Sequence, residues 1–179
     1  MVYLFLANGF EEIEALAPLD LLRRAGVEVT TVGVGGEMIR GSHGIVVQAD
    51  MPDTMYMDAE PEMIILPGGM PGSKNLDESR IVDTAIKAAV RNGAYIAAIC
   101  AAPFILGKRG LLEGKEAICY PGFEKELTGA RISAEKVVRD GKFITAAGMG
   151  VAIDFGLKLV EVLKDATVAE NLRSAIQCK

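Results

Sequence analysis

The chain of 179 residues has no tryptophan and one histidine, His43. A lone histidine excludes a His–His metal centre, and any Cys–His couple must draw on that single residue in the "RGSHG" stretch. The three cysteines, Cys100, Cys119 and Cys178, form no pair at metal-ligand spacing. Their odd number, with no secretory leader to be read, gives the expectation of a reducing cytoplasm. Positive charge is not in excess either. The formal net charge of −5 offers no footprint for nucleic acid or an anionic membrane surface. The opening apolar run "VYLFLA" stops at Asn8-Gly9, too early for a spanning helix. No Gly-Lys-Ser/Thr follows the glycine-rich "LPGGMPG", so it is not a phosphate loop.

What remains is aliphatic: 50% of the residues are hydrophobic. A chain of this length and composition suits a single domain over 1–179 with a sizeable core. Residues 2–7, 27–34, 63–69 and 94–100 read as short strands, three of them continuously apolar as in strands covered on both faces. Between them lie helical patterns. In "EEIEALAPLDLLRRAG", Ile13, Leu16, Ala17, Leu19, Leu22 and Ala25 recur at helical spacing, with Pro18 expected to kink the helix and Gly26 to end it. Residues 78–93, 150–164 and the C-terminal segment read as further helices, and "APFILGKRG" as a short one. "EMIRGSHGIVVQAD" and "EKVVRDGKFITAAG" read as hairpins, and 115–121 as one more strand. Strands alternating with helices give an α/β class with a largely parallel sheet covered on both faces.

In such sheets, sites gather outside the carboxyl ends of strands, near a switch in strand order. Three strand ends are conspicuous. At "AAICAAP", Cys100 sits on a strand-to-helix turn with small neighbours, the device that presents a nucleophile. A following helix N-terminus would favour its thiolate. Buried free cysteine is also a common small hydrophobe, so local sequence leaves both readings open. At "LPGGMPG", Gly68 and Gly69 allow backbone N–H groups to face a ligand as an oxyanion hole, or merely make a turn. At "EEIE", Glu11, Glu12 and Glu14 suit the helix dipole, but Glu14 leans toward the buried side. Desolvated there, its carboxyl would stay protonated and could donate to sulfur or an oxyanion.

Taken in order, "GFEEIEALAPLDLLRRAGVEVT", "IILPGG", "IAAICAAP" and "GMGVAIDFGLKLVEVL" resemble the DJ-one/ThiJ/PfpI superfamily, in its parkinsonism-associated deglycase branch with bacterial relatives. The resemblance runs over almost the whole chain. It implies a flavodoxin-like three-layer α/β/α sandwich with a nucleophile elbow, usually a homodimer. It aligns Cys100 with a reactive cysteine that oxidises to a sulfinate, Glu14 with a protonated glutamate bonded to it, and Gly69 and Ala101 with backbone donors. Asp20, Arg23 and Arg24 fall near the family's dimer interface and site mouth. Two departures stand out. Tyr120 occupies a place where a histidine is frequent, and Ala101 follows the cysteine where the protease-like branch has histidine, which argues against peptidase activity. His43 falls near a loop arginine of the family and could reach a partner's pocket. The implied function is a cysteine-dependent, cofactor-free and metal-free glyoxalase or deglycase, acting on dicarbonyls or glycated adducts in stress. The alternative is a redox sensor or chaperone working through oxidation of Cys100.

Overall fold

The continuous apolar runs form the inner strands of a central sheet. In the computed structural model, which describes residues 1–57 and 60–178, β1 (Val2–Leu6), β2 (Val29–Gly33), β6 (Met63–Leu66), β7 (Tyr95–Ile99) and β11 (Phe143–Ala146) lie parallel in this sheet. Short β5 (Met51–Pro52) closes one edge in parallel, and β10 (Val137–Asp140) closes the other as the antiparallel arm of a hairpin with β11. The full order is β10-β11-β7-β6-β1-β2-β5. Its five central strands follow the flavodoxin order, with β1 as the strand from which the chain first runs one way and then the other.

Alternation along each strand explains why these segments are apolar throughout. Val2, Leu4 and Leu6 of β1, Met63 and Ile65 of β6, and Ala97 and Ile99 of β7 enter one core. Phe5, Ile64, Leu66, Ile96 and Ala98 enter the other. The first core is covered by α1 (Glu12–Arg24), α5 (Ala152–Leu163) and α6 (Ala166–Ala175). The second is covered by α2 (Gly72–Glu78), α3 (Arg80–Arg91) and α4 (Pro103–Lys108). The result is a three-layer α/β/α sandwich of the flavodoxin-like class.

Two small sheets complete the fold. The hairpin expected around Gly41–Gly44 is β3 (Met38–Arg40) paired antiparallel with β4 (Val46–Gln48). The strand expected over 115–121 shrinks to β8 (Glu116–Ala117), paired with β9 (Arg131–Ile132). Its remainder is drawn off toward the elbow, where Tyr120 N–H donates to Cys100 O at 2.8 Å.

Helix α1 departs from the expected face. Leu19 and Leu22 are buried, but Ile13 is 48% exposed, and Glu12 and Glu14 are sequestered in its place at 2% and 1%. Pro18 does not interrupt the helix, which runs from Glu12 to Arg24. It packs instead on α5 at Gly156, where an added Cβ would come 2.9 Å from Pro18 Cα and 2.6 Å from Leu21 Cδ1. A glycine and a proline thus let the two helices approach closely, and that contact sets which face of α1 turns inward. The proline also lacks the N–H that the Glu14 carbonyl would accept in an unbroken ladder.

Candidate active site

The carboxyl ends of β1, β6 and β7, the three strands at the reversal of strand order, meet over one small volume. Cys100 is the first residue past β7 and has φ +64°. Its N–H donates to Ala146 O at 2.9 Å, and Ala102 N–H turns back onto Ile99 O at 3.1 Å. Those two bonds fix the elbow and leave the side chain half-buried. The Gly68–Gly69 turn after β6 forms the facing wall. A Cβ on Gly68 would fall 2.3 Å from Glu14 Oε2 and 2.5 Å from Cys100 Cβ. Glycine is required there because carboxyl and thiol share the space above its Cα.

The three glutamates at the start of α1 do three different things. Glu11 caps the helix, its Oε2 accepting from Glu14 N–H at 2.7 Å. Glu12 turns to the β3–β4 hairpin: Oε1 accepts from His43 N–H at 2.8 Å, and Oε2 pairs with His43 Nδ1 at 3.0 Å. Glu14 turns to Cys100. Its Oε2 is buried with no hydrogen-bond donor among the described residues. A proton on that oxygen converts an orphaned acceptor into a donor toward sulfur.

Electrostatics follow from this burial. Desolvation pushes the Cys100 thiol up to about 12; the charge of Glu14 and its hydrogen bond add to the rise, against the N–H groups of Gly69 and Ala101. Desolvation also raises Glu14 to about 7, helped by the charge of Glu11 and opposed by Cys100 and by the N–H groups of Gly68 and Met149. The direction for Cys100 is opposite to the one expected from a helix N-terminus. Helix α4 has only 6 residues, and its dipole is outweighed by burial of the thiol, with the Glu14 carboxyl adding to the effect. The two groups titrate as a pair: the first proton leaves near neutrality, the second far above it. Over that range one proton is shared between carboxyl and sulfur.

The accessory candidates divide. Tyr120 reaches the mouth of the site. It is bound through its backbone to the elbow, and its ring lies over Gly148, where an added Cβ would meet Tyr120 Cδ2 at 3.2 Å and Glu14 Oε1 at 3.9 Å. Its side chain is 51% exposed. Asp20 and Arg24 pair with each other at 2.6 Å on the surface of α1 rather than with Glu14 or Cys100. Arg23 is taken by Asp50 at 2.7 Å. Helical spacing explains the difference, since positions 20, 23 and 24 lie roughly 1.7 to 2.8 turns beyond Glu14. His43 is bound to Glu12 of its own chain. The ligand atoms of Glu11, Glu12 and His43 lie within 4.8 Å of one another, but both Glu12 oxygens already serve the loop, so the group acts as a latch for the hairpin. The roles of Glu11 and Glu12 were missed from sequence. The signal for Glu11 was its three-residue lead on Glu14, the N-cap to N3 spacing.

Comparison with known proteins identifies the family of the chain. A sequence model of the DJ-1/PfpI family matches residues 1–162. Protein dj-1beta of Drosophila melanogaster is 37% identical over 161 residues, covering 88% of this chain and 86% of that protein. A crystal structure of Drosophila melanogaster DJ-1beta superposes with a TM-score of 0.93 at 32% identity, over 99% of this chain and 97% of that one. A protein of Caenorhabditis elegans named glutathione-independent glyoxalase DJR-1.2 is 32% identical over 167 residues, covering 90% of this chain and 87% of that protein. With the family matched over most of its length and the fold shared nearly end to end, the chain belongs to the DJ-1/PfpI family.

Proposed function

We propose that the chain is a cysteine-dependent glyoxalase that isomerises and hydrates small 2-oxoaldehydes to 2-hydroxy acids without a cofactor. The observation that carries this reading is the pairing of half-buried Cys100 with buried Glu14, beside the N–H groups of Gly69 and Ala101. The name of the similar Caenorhabditis elegans protein supports it.

The reaction uses that pair twice. Cys100 sulfur adds to the aldehyde carbon, forming the C–S bond, and the carbonyl electrons move onto oxygen. Gly69 and Ala101 N–H groups hold that oxyanion, and Glu14 protonates it to a hemithioacetal. As a carboxylate, Glu14 then removes the proton from the former aldehyde carbon and returns it to the neighbouring carbon, while the hydroxyl proton on the first carbon passes to the oxygen of the second. The first carbon becomes a thioester as the second becomes a carbinol, so no outside oxidant is needed. Water cleaves the thioester, the C–S bond breaks, and the thiol is restored. A carboxyl near 7 gives and takes protons at neutral pH with little bias. Glycated thiols and amines present the same carbon and form the wider substrate class of this reading.

The test is lactate formation from methylglyoxal. Cys100→Ser is expected to form none, and Glu14→Gln to be slower by about 10²- to 10⁴-fold. Equal rates in all three proteins would overturn the reading.

One observation favours a second role. A solved structure of Toxoplasma gondii DJ-1 described as oxidized superposes with a TM-score of 0.89 at 34% identity, over 98% of this chain and 97% of that one. Oxidation of Cys100 to a sulfinate would place its oxygens against the same Gly69 and Ala101 donors. A clean gain of two oxygens on Cys100 in mild peroxide, with no dicarbonyl turnover, would select the sensor over the enzyme.

A further inference from the structure

We propose that Glu11 is a positioning residue of this site: its backbone aims the Gly69 oxyanion donor, and its side chain seats Glu14 against Cys100. The inference rests on Cys100 and Glu14 being the reactive pair, and not on which substrate they take.

The first part is peptide geometry. Glu11 N–H donates to Gly68 O at 2.9 Å. The Gly68 carbonyl and the Gly69 N–H belong to one peptide unit, and in a trans peptide they point in opposite directions. Pinning the carbonyl toward α1 therefore turns the Gly69 N–H away from α1 and toward the sulfur. The two backbones lie too close for anything but glycine: a Cβ on Gly69 would fall 2.4 Å from Glu11 N and 2.7 Å from Gly9 O.

The second part is the side chain. Glu11 Oε2 takes the Glu14 N–H at 2.7 Å, which fixes the first turn of α1 and the direction in which Glu14 leaves it. The groups around the Glu14 carboxyl are then few. They are Cys100 from the β7–α4 elbow, the N–H groups of Gly68 and Met149, Tyr120 beyond Gly148, and Glu11 and Glu12 on its own helix. Glu12 is turned away to the hairpin and hydrogen-bonded by His43. Glu11 is the carboxylate left to act on Glu14, and its negative charge adds to the upward push on that group. One residue thus shapes the oxyanion hole, caps the helix, and adds to the rise in the pH at which the pair gives up its first proton.

The experiment is the pH dependence of iodoacetamide alkylation at Cys100, followed by peptide mass, in wild type, Glu11→Gln, Glu11→Asp and Glu11→Ala. Glu11→Gln keeps an acceptor and removes the charge. Its alkylation limb is expected to move acidward by roughly one pH unit with the melting temperature unchanged. Glu11→Asp restores the charge and returns the limb to the wild-type position. Glu11→Ala moves the limb as Gln does and, having lost the cap, also melts several degrees lower. In dicarbonyl turnover its kcat falls while KM is kept. A Glu11→Gln limb at the wild-type position overturns the proposal, and Gln and Asp decide it alone if Ala fails to fold. A shifted limb in a protein without turnover upholds the proposal and defeats the glyoxalase reading instead.

Discussion

Glu12 and Glu14 are two residues apart on one turn of one helix, and both are closed off from solvent. Their carboxyls are nevertheless driven in opposite directions. For Glu12, burial favours the neutral form, but hydrogen bonds from the His43 ring and from the N–H groups of Glu12, His43 and Ile45 overcome it, and its carboxyl lies below the usual range. For Glu14, burial wins and the carboxyl rises to about 7. Both lack solvent contact, but Glu14 lies deeper in the protein. Donors separate them too: a loop built from Gly41 to Ile45 supplies Glu12 with several, while the thiol and the Gly68 and Met149 N–H groups near Glu14 do not offset its burial. The helix thus carries a structural carboxylate and a reactive acid side by side.

The largest expected effect comes from breaking the Glu14 side. Gly68→Ala puts a methyl where Glu14 Oε2 and Cys100 Cβ already sit. Lactate formation should fall by at least about 10²-fold, with a loss of about 1–3 kcal/mol in urea unfolding from overpacking. Wild-type turnover in this variant would mean that the two side chains do not need each other.

Next is the pH slope of stability. The folded value of Glu14, about 7, lies above its ordinary 4.5, so the folded state keeps the proton longer. Its contribution is most favourable below 4.5 and declines as pH rises through 7. Glu14→Gln removes that decline. The variant should match wild type in urea unfolding at pH 4 and exceed it at pH 8 by up to about 3 kcal/mol. Parallel curves at the two pH values would show that Glu14 is not raised.

Glu12 should behave in reverse. Its folded value is depressed, so it contributes stability above 4.5 that is lost as pH falls. Glu12→Ala leaves the His43 N–H without its acceptor and should cost about 1–3 kcal/mol at pH 7, with a smaller difference below pH 4.5. Amide exchange should quicken at residues 41–45 and stay slow in β7. Uniform quickening would mean that Glu12 supports more than the hairpin.

The smallest effect belongs to His43. Its value is raised by the Glu12 hydrogen bond and charge, so its help is complete below 6.5 and lost as pH rises through the raised value. His43→Ala should lower the melting temperature more at pH 5.5 than at pH 8, and leave Cys100 alkylation unchanged. A changed alkylation profile would tie the latch to the reactive pair.

Much of this contrast lies beyond a local reading of the sequence. The buried strands, the two hairpins and the glycine turn were legible because each rests on neighbours in the chain: alternation, Asp140-Gly141, Gly68-Gly69. Glu14 was legible as a buried-side acid from helical spacing. The inward turn of Glu12 was not, because it depends on a hairpin 31 residues away folding over the helix start. Ile13 was misplaced for the same reason, together with the close approach of α1 to α5 at Gly156. The upward shift of Cys100 was hidden as well. Local sequence offers it a helix N-terminus, while its actual neighbour comes from α1, brought across the sheet by the order of strands.

The backbone at Cys100 has a consequence of another kind. A side-chain-bearing residue held at φ +64° gives up about 1–2 kcal/mol that glycine at the same point would not. Selection for thermostability alone would therefore replace this residue with glycine, and the chain would gain robustness by discarding its sulfur. Position 100 is a place where durability and reactivity compete for one amino acid.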